Sequence, residues 1–554
     1  MKPLRILAAT LLIGITGTVI AQAPKDKPAQ PRLKYNAKQI AEAEAKLLQA
    51  NCSLHHEELP PLVPNGPPVR GEIDIAAFPG DITDAELAKL IPMAARLPKL
   101  ETIDLGRSRM ITSKGFKEVA RLIPDLKALF LDGCTVDEDS LKELVSLKQL
   151  QWLDLSRSTV SDANLKLLAD FPSLQNLTLD QVPALTEAGV AHLQKLPRLR
   201  SLHITVNRDP SGMMAHIGKM DMLAELKVSP IGDEEAKEIA NLTRLQILDL
   251  NNGMNFWRAF RANPVVPDMN NGMPAVVVRP PVAKGPPIVR PVGKPVRQGA
   301  FDGISAKGFP HILKCTDLRV LKLAGHSIDV TGSGLDKLEF LQELDLSGTG
   351  FSDDGVSWLG RLKLLRKLWL SGTGITNEGV KGLSVAGGLE LIALDYLPLT
   401  DESISYLARN RKLKELSLNS TRVACADRRA WSGFGRLERV YLEETNITDS
   451  TLMNLAPLKT LRLVNARNNC PNISVAGARA LQNELTTGAS VWAHSCEFAY
   501  WPGGGGVPIR EPNRGYFNTS NNTRDSGPSR MMPAPTRAPP PAVRLAPLPG
   551  TGKP

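Results

Sequence analysis

The residue types that bind metals are most concentrated near the N-terminus, where residues 52–58 read Cys-Ser-Leu-His-His-Glu-Glu. Thiolate, imidazole and carboxylate groups are the usual zinc ligands, but a site needs three or four of them to converge. No second cluster with matching spacing occurs in the sequence, and His494 and Cys496 lie at its other end. The pattern therefore favours a polar N-terminal cap over a metal site, and we expect no bound cofactor.

Sets of catalytic residues are not recognisable in the sequence. The histidines are scattered and form no Ser/His/Asp set that short repeats would bring together. No glycine-rich loop lies between a strand and a helix, where it could bind phosphate, since the glycines at 503–506 fall in a low-complexity tail. The sequence therefore predicts a protein without catalytic residues, and not an enzyme.

Elements that recur at a fixed period account for most of the chain. The pattern Leu-x-x-Leu-x-Leu occurs thirteen times, with Ile or Val sometimes replacing the later leucines, and most copies follow one another at about 24 residues. A fourteenth, degenerate copy starts at Leu461 on the same spacing, although a start at Leu458 gives a cleaner pattern. A period of this length, held over so many copies, indicates a solenoid of stacked repeats. Residues 73–75 are interpreted as a degenerate first copy. The fourteen copies begin at Leu100, Leu126, Leu150, Leu174, Leu199, Leu223, Leu245, Leu318, Leu341, Leu365, Leu389, Leu413, Leu437 and Leu461.

A second signature follows the strand pattern and predicts a helix. It reads Ile-Thr-x-x-Gly-apolar-x-x-Leu, as at residues 375–383. The Thr hydroxyl can accept hydrogen bonds from the free amides of a first helical turn. Acids such as Asp353, Asp401 and Asp449 favour the positive end of the helix dipole. Each repeat is therefore expected to form a short strand, a turn and a helix that buries one face.

The repeats resemble the leucine-rich-repeat family, whose strand segment is matched by residues 341–349 (Leu-Gln-Glu-Leu-Asp-Leu-Ser-Gly-Thr). The resemblance covers roughly residues 71–482. It implies an α/β solenoid, a horseshoe with a concave parallel sheet and convex helices, of about 14 repeats of ~24 residues. The ninth position carries Thr, Ser or Cys where many members have Asn, which looks like the cysteine-containing or ribonuclease-inhibitor-like branch. The repeat pattern is also similar to that of exported repeat proteins of planctomycete-type bacteria. We expect these ninth residues to bond the neighbouring backbone.

Two cysteine patterns carry weaker hypotheses. Cys425-Ala426-Asp427 resembles the Cys-x-Asp of bacterial repeat-containing ubiquitin ligases, which carry that cysteine in a separate helical domain. Here Cys425 lies inside a repeat, so we interpret it as a packing residue. Cys470 and Cys496 flank the last predicted helix, where a disulfide could close the end of the solenoid. Two buried thiols are the alternative.

The segments outside the repeats differ from them in composition. The interval from Leu245 to Leu318 is about three times the usual period, and the excess is rich in proline and basic residues. We therefore expect its flanks to form one repeat, with a strand over 245–250 and a helix over 304–313. The predicted organisation is a signal peptide (1–21), a linker (22–35), an N-terminal cap segment (36–70), the solenoid (71–482) with a Pro-rich basic insertion (252–303), a C-terminal cap (483–501) and a disordered Gly/Pro-rich basic tail (502–554).

The first residues have the pattern of an export signal. Lys2 and Arg5 precede an apolar stretch over 6–20, and Ala21 offers a small side chain to a signal peptidase. An apolar stretch of fifteen residues is too short to span a bilayer. We therefore expect cleavage after Ala21 and a mature protein that is exported, whether periplasmic, bound to the cell envelope or secreted.

The net charge of +10 is concentrated outside the repeats. Residues 253–300 carry +6, residues 497–554 carry +4 and the first 70 residues carry +4, which leaves −4 for the rest of the chain. A mildly acidic repeat body argues against sequence-specific binding of nucleic acid. The basic segments could still contact an acidic envelope polymer or lipid electrostatically.

The solvent face of the predicted sheet offers the best candidates for binding. In Leu-x-x-Leu-x-Leu-x the third, fifth and seventh residues point away from the leucine core. Aromatic residues at those positions do not serve the core, so we expect them to be exposed and to form binding hot spots with the neighbouring charges. The candidates are Phe130, Trp152, Asp154, Asp345, Lys367, Trp369, Arg439 and Tyr441.

Two functions remain open from the sequence. The first is an exported, non-catalytic leucine-rich-repeat scaffold that binds an unidentified protein or peptide partner through its concave face and rim. The second is a cell-envelope structural or anchoring protein that holds acidic polymer or a membrane surface through its basic insertion and tail. High salt should release contacts of the second kind and largely spare those of the first. We expect a monomer in either case.

Overall fold

The computed structural model describes residues 35–59, 69–206, 210–251, 303–328, 334–384, 386–467, 470, 472–485 and 489–493. The predicted signal peptide, nearly all of the linker and of the insertion, most of the C-terminal cap, Cys496 and the tail lie outside the described residues. The hypotheses about those segments therefore stay predictions.

Seventeen strands of the described residues form one sheet. The first strand pairs antiparallel with the second, and from the second onward each strand pairs in parallel with the next. The strands are β1 (Ser53–Leu59), β2 (Val69–Ala77), β3 (Thr102–Asp104), β4 (Ala128–Phe130), β5 (Trp152–Asp154), β6 (Asn176–Leu179), β7 (Ser201–Thr205), β8 (Glu225–Ser229), β9 (Ile247–Asp249), β10 (Val320–Lys322), β11 (Glu343–Asp345), β12 (Lys367–Trp369), β13 (Leu391–Ala393), β14 (Glu415–Ser417), β15 (Arg439–Tyr441), β16 (Leu463–Ala466) and β17 (Ser490–Ala493).

The predicted repeats map onto this sheet one by one. The fourteen leucine patterns correspond to β3–β16, and the degenerate copy at 73–75 lies in β2. The last strand, β17, has no leucine pattern and was not predicted. Across the insertion, Leu248 of β9 is the register partner of Leu321 of β10. The two flanks therefore form a single repeat, as the spacing predicts.

Helices follow most strands and connect each one to the next. Some repeats have a single turn or a short 3₁₀ segment in place of a helix, as at Leu335–Lys337. Among the described residues, no helix combines the length and apolar character needed to cross a membrane. The α-helices are α1 (Ala37–Gln49), α2 (Asp84–Ala94), α3 (Ser113–Leu122), α4 (Glu138–Leu144), α5 (Asp162–Leu165), α6 (Glu187–Leu193), α7 (Pro210–Ile217), α8 (Asp233–Ile239), α9 (Phe309–Ile312), α10 (Val356–Leu359), α11 (Asn377–Leu383), α12 (Asp401–Leu407), α13 (Arg428–Ser432), α14 (Asp449–Leu452) and α15 (Val475–Glu484).

The leucines of the repeat pattern form one continuous core between the sheet and the helices. In the repeat of β11, Leu341, Leu344 and Leu346 are fully buried, and the same cluster extends from Leu47 of α1 to Ala493 of β17. Each repeat buries its apolar face only against its neighbours, so the stability of any one repeat depends on the next.

The residues that end each strand satisfy the backbone in the way the sequence predicts. Thr349 and Thr373 donate their hydroxyls to the carbonyls of Leu346 and Leu370, at 2.6 and 2.7 Å. Cys134 occupies the same position and its thiol contacts a backbone carbonyl in the preceding repeat. The ninth-position Thr, Ser and Cys therefore bond the neighbouring backbone, as expected.

The first turn of a helix is stabilised by a carboxylate from the preceding repeat. The carboxylate of Asp353 accepts hydrogen bonds from the amide (2.9 Å) and hydroxyl (2.6 Å) of Thr376, the N-cap of α11. The approach is possible because residue 379 is glycine: a Cβ there would overlap with the Asp353 carboxylate. The Asp-to-Thr contact thus links consecutive repeats, a role beyond the helix-dipole effect that the sequence suggests.

Candidate interaction face

The third and fifth residues of each leucine pattern are the first and third residues of strands β3–β16. They form two rows across the sheet on the side opposite the leucine core, and we call this the polar face. The register places Glu343, Lys367 and Leu391 side by side in the third-position row. It places Trp369 beside Ala393 in the fifth-position row. This is the face that the sequence predicts to be concave and to carry the binding residues.

The polar face repeats the same constellation in two places. Strands β11–β13 present Glu343, Lys367 and Leu391 in the third-position row, with Trp369 beside the lysine. Strands β14–β16 present their counterparts in the same order, and these are Glu415, Arg439 and Leu463, with Tyr441 beside the arginine. Because neighbouring strands lie about 4.8 Å apart, the two copies are separated by roughly 14 Å. We call them the first and second subsites.

Each subsite contains an acid–base pair. Lys367 Nζ lies 2.7 Å from Glu343 Oε1, and Arg439 Nη2 lies 2.6 Å from Glu415 Oε2. Both cations keep nearly half of their side-chain surface exposed, so they can donate to a ligand while still paired. Burial opposes the charged form of Arg439, but the Glu415 carboxylate prevails and raises its pKa. Arg439 is therefore charged across the physiological range.

The aromatic residues are less exposed than the sequence predicts. Trp152 and Trp369 retain only 8% and 4% of their surface, so the expectation that they are exposed hot spots is wrong. Trp152 packs against Phe130, with ring centroids 5.5 Å apart, and Trp369 packs against Leu391. Large rings on a sheet are covered by side chains from neighbouring strands, and the sequence of a single strand does not reveal those neighbours.

Phe130 and Tyr441 are the aromatic candidates that a ligand can reach, since both are half-buried. Burial, assisted by the nearby Glu415 carboxylate, raises the pKa of Tyr441 to about 12. Its hydroxyl is therefore protonated at physiological pH, and its oxygen can accept a hydrogen bond from a ligand while the proton is shared with the Glu415 carboxylate.

The two aspartates among the predicted binding residues have structural bonds. Asp154 Oδ1 accepts the Ser156 amide at 2.9 Å, and Asp345 Oδ1 accepts the Ser347 amide at 3.0 Å. Asp345 Oδ2 also accepts from the Asn251 side chain at 3.1 Å. Burial raises the pKa of Asp345. These carboxylates hold the ends of β5 and β11, which makes them poorer candidates for binding than the cations.

A polar cluster in the middle of the face was missed by the sequence reasoning. His203 Nε2 lies 2.9 Å from Glu225 Oε1, and the Ser201 hydroxyl donates to Glu225 Oε2 at 3.0 Å. Burial opposes ionisation of Glu225, but these partners prevail and lower its pKa. Ser201 bonds the carboxylate rather than the imidazole, so the arrangement differs from a nucleophile activated by a histidine base. Comparing the same strand position in adjacent repeats would have revealed the cluster.

The N-terminal candidates for metal binding are engaged in other contacts. His55 Nδ1 lies 2.8 Å from Asp74 Oδ1, and His56 Nδ1 lies 3.0 Å from the Gly71 carbonyl. Within the described ranges, no three His, Cys, Asp or Glu side chains are grouped so that they could hold a metal ion. The residues that read as a ligand cluster instead join β1 to β2.

The cysteines of the described repeats are buried free thiols. Cys425 is completely buried, and burial raises its pKa well above the ordinary value, which disfavours the reactive thiolate. The amides of Ala424, Cys425 and Ala426 all donate to the Asp401 carboxylate, so this segment caps a repeat. Cys470 is also buried with a free thiol. Because Cys496 lies outside the described residues, the predicted disulfide remains a prediction.

Comparison with known proteins gives a match to one family model. A family model described as Leucine Rich repeat matches residues 337–360 and 362–384. Solved structures similar to this chain include an internalin from Listeria monocytogenes, at 15% identity and a TM-score of 0.37 over 74% of this chain and 94% of that one. A leucine-rich-repeat protein from Leptospira interrogans is 18% identical, with a TM-score of 0.39 over 72% of this chain and 91% of that one.

A third similar structure is the Arabidopsis receptor kinase HAESA in complex with the peptide hormone IDA and the co-receptor SERK1. It is 16% identical to this chain, with a TM-score of 0.35 over 65% of this chain and 54% of that one. The family match falls on the repeats of β11 and β12, which contain Glu343, Lys367 and Trp369 of the first subsite.

Proposed function

The chain belongs to the leucine-rich-repeat family, and from this premise we propose that it is a non-catalytic scaffold that binds an extended segment of a partner protein across strands β11–β16. The observation that supports the proposal is the doubled constellation of the polar face. Two cations, Lys367 and Arg439, each stand beside an aromatic ring and a leucine in the same register.

The spacing of the subsites defines the form of the ligand. An extended polypeptide advances about 3.3–3.6 Å per residue, so four residues span roughly 14 Å. A partner segment that crosses the strands would therefore contact both subsites with side chains at positions i and i+4. Because each subsite offers a half-exposed cation, acidic or amide side chains at those two positions fit best.

Export is a part of the same proposal. The Lys2/Arg5 and 6–20 pattern would direct the chain out of the cytoplasm, and the partner would then be an envelope or extracellular protein. Intact-mass measurement of protein recovered from outside the cytoplasm should give a chain that begins at Gln22. Retention of Met1 in that material would contradict the export proposal and leave the binding proposal unaffected.

The binding proposal is tested by capture from an envelope extract with the full mature chain and a double variant, Lys367→Ala with Arg439→Ala. We expect the variant to lose the captured partner because both subsites lose their cation. Arg121→Ala with Lys142→Ala is the matched control, since it removes two salt-bridged cations from helices away from the polar face.

A peptide scan of the captured partner then tests the spacing. Binding should require two side chains four residues apart, and moving one of them by a single residue should weaken binding about tenfold. Binding should also largely persist at about 0.5 M salt, where contacts through exposed basic segments are screened. Equal capture by the wild type and by the Lys367/Arg439 variant would refute the proposal.

A further inference from the structure

The turns that lead from each helix into the next strand form a basic edge of the sheet. Because the strands are parallel, the turns that precede β3–β16 all lie at the same edge, where the strands begin. These fourteen turns contain 21 Lys and Arg and 7 Asp and Glu, a net charge of +14. The net charge of the repeat body is nevertheless mildly negative, because the rest of the repeats carries more acidic than basic residues.

Several cations of this edge are exposed to solvent. Arg411 and Lys412 are exposed in the turn before β14, and Lys314 and Arg319 are exposed before β10. Some cations of the edge are paired, as Lys414 is with Glu390 at 2.8 Å. The excess of cations over carboxylates in these turns leaves a net positive surface that attracts polyanions.

Two exposed apolar side chains interrupt this basic edge. Phe340 and Leu364 keep 52% and 44% of their surface exposed, and they occupy equivalent positions in adjacent turns, each just before the first leucine of a repeat. The equivalent positions of other repeats hold polar residues such as Lys99, Gln149 and Lys412. The strands that follow, β11 and β12, are direct neighbours, so the two side chains belong to one local patch.

We propose that this edge docks on the surface of an anionic phospholipid bilayer, with Phe340 and Leu364 entering the interfacial region and the surrounding lysines and arginines contacting the headgroups. Exposed apolar side chains framed by cations are the combination that binds anionic membrane surfaces. A purely polar polyanion would match the charges but would gain nothing from the two apolar side chains. The residues of this site belong neither to the polar face nor to the insertion or the tail.

Flotation with vesicles of phosphatidylcholine containing about 30% phosphatidylglycerol tests the proposal, with pure phosphatidylcholine vesicles as reference. The full chain is used throughout, so that the insertion and the tail are present in every sample. Arg411→Glu with Lys412→Glu should weaken binding to the anionic vesicles about tenfold or more. Lys114→Glu with Lys166→Glu makes the same change of charge on exposed residues outside the edge and should change binding less than twofold.

A second variant separates lipid from other polyanions. Phe340→Ser with Leu364→Ser should roughly halve or further reduce the fraction that stays bound at about 0.5 M salt, where the electrostatic contribution is screened. Both residues are exposed, so the fold should persist. Unchanged salt resistance in this variant, or equal competition by polyglutamate, would overturn the proposal in favour of a general polyanion surface. Equal binding by the Arg411/Lys412 variant and its control would overturn it altogether.

Discussion

Asp395 and Asn410 are both buried polar residues of the described repeats, but they differ in whether their side chains have hydrogen-bond partners. Asp395 accepts the Ser417 hydroxyl at 2.5 Å and the Asn419 amide at 2.9 Å, and Ser371 donates to its other oxygen. Asn410 is equally buried, at 1% exposure, yet neither side-chain amide atom has a hydrogen-bond partner in the part of the chain that the structure describes. A buried group with partners recovers part of its desolvation penalty through hydrogen bonds, whereas a group without partners retains the full penalty.

Replacing Asn410 by leucine should stabilise the protein. Other repeats have an apolar residue at this position, for example Leu338, Leu362 and Leu458, all buried. Asn410→Leu removes two unpartnered polar atoms and should raise the free energy of unfolding by about 1–3 kcal/mol. Urea denaturation measures the change. The reciprocal variant Leu362→Asn should lose stability, and a loss in Asn410→Leu would show that the amide has a partner.

The ionisation of Asp395 should make stability fall as pH rises. Burial raises its pKa from 3.8 to about 6, so between those values the folded protein binds a proton that the unfolded chain has released. Because the folded state binds more protons, stability decreases from pH 4 to 6 and stays lower above pH 6. Asp395→Asn should remove this decrease and be more stable than wild type at pH 8, by roughly 1–3 kcal/mol. Parallel pH profiles of the two proteins would contradict this.

At the scale of the element, short helices start where the preceding repeat supplies a carboxylate. A helix of seven residues such as α11 is too short to be stable alone. The contact between Asp353 and Thr376 has counterparts throughout the chain, in which a glycine makes room for the acid. These Asp/Gly pairs are Asp84 and Gly115, Asp162 and Gly189, Asp233 and Gly308, Asp353 and Gly379, and Asp449 and Gly477.

Gly379→Ala should therefore destabilise the protein although alanine is the better helix former. The new methyl group would displace the Asp353 carboxylate, and we expect a loss of about 1–3 kcal/mol against an intrinsic gain of about 1 kcal/mol. The double variant with Asp353→Ala should lose less than the sum of the two single variants, because the clash needs both groups. Additive losses in urea denaturation would show that the two residues do not meet.

At the scale of the whole molecule, one histidine joins the two sides of the interrupted repeat. His326 Nε2 donates to the Leu250 carbonyl at 2.7 Å, and its Nδ1 accepts the Ile304 amide at 2.9 Å. Burial lowers the pKa of His326, which favours the neutral ring that these two bonds require. The repeat thus closes through contacts made by residues on either side of the insertion.

Deleting residues 253–300 should leave the melting temperature equal or higher. The register of β9 with β10 and the two bonds of His326 involve none of the deleted residues. The entropy of closing a loop grows only with the logarithm of its length, so shortening the connection should stabilise by ~2 kcal/mol at most. Thermal unfolding of the deletion variant beside wild type measures this. A large drop in melting temperature would show that the insertion packs on the repeats.

The sequence by itself determined the repeat count, the leucine core and the register, because a constant period permits only one way of stacking the strands. It also predicted the cations Lys367 and Arg439 as binding residues, which stays a prediction. The tertiary structure decided which side chains a ligand can reach, because Trp152 and Trp369 are covered from neighbouring strands. It also decided where charge accumulates. Turns that are one full period apart in the sequence lie at the same edge of the sheet, so that edge is strongly basic although the net charge of the repeats is slightly negative. Both outcomes depend on neighbours across the sheet, which a linear pattern does not contain.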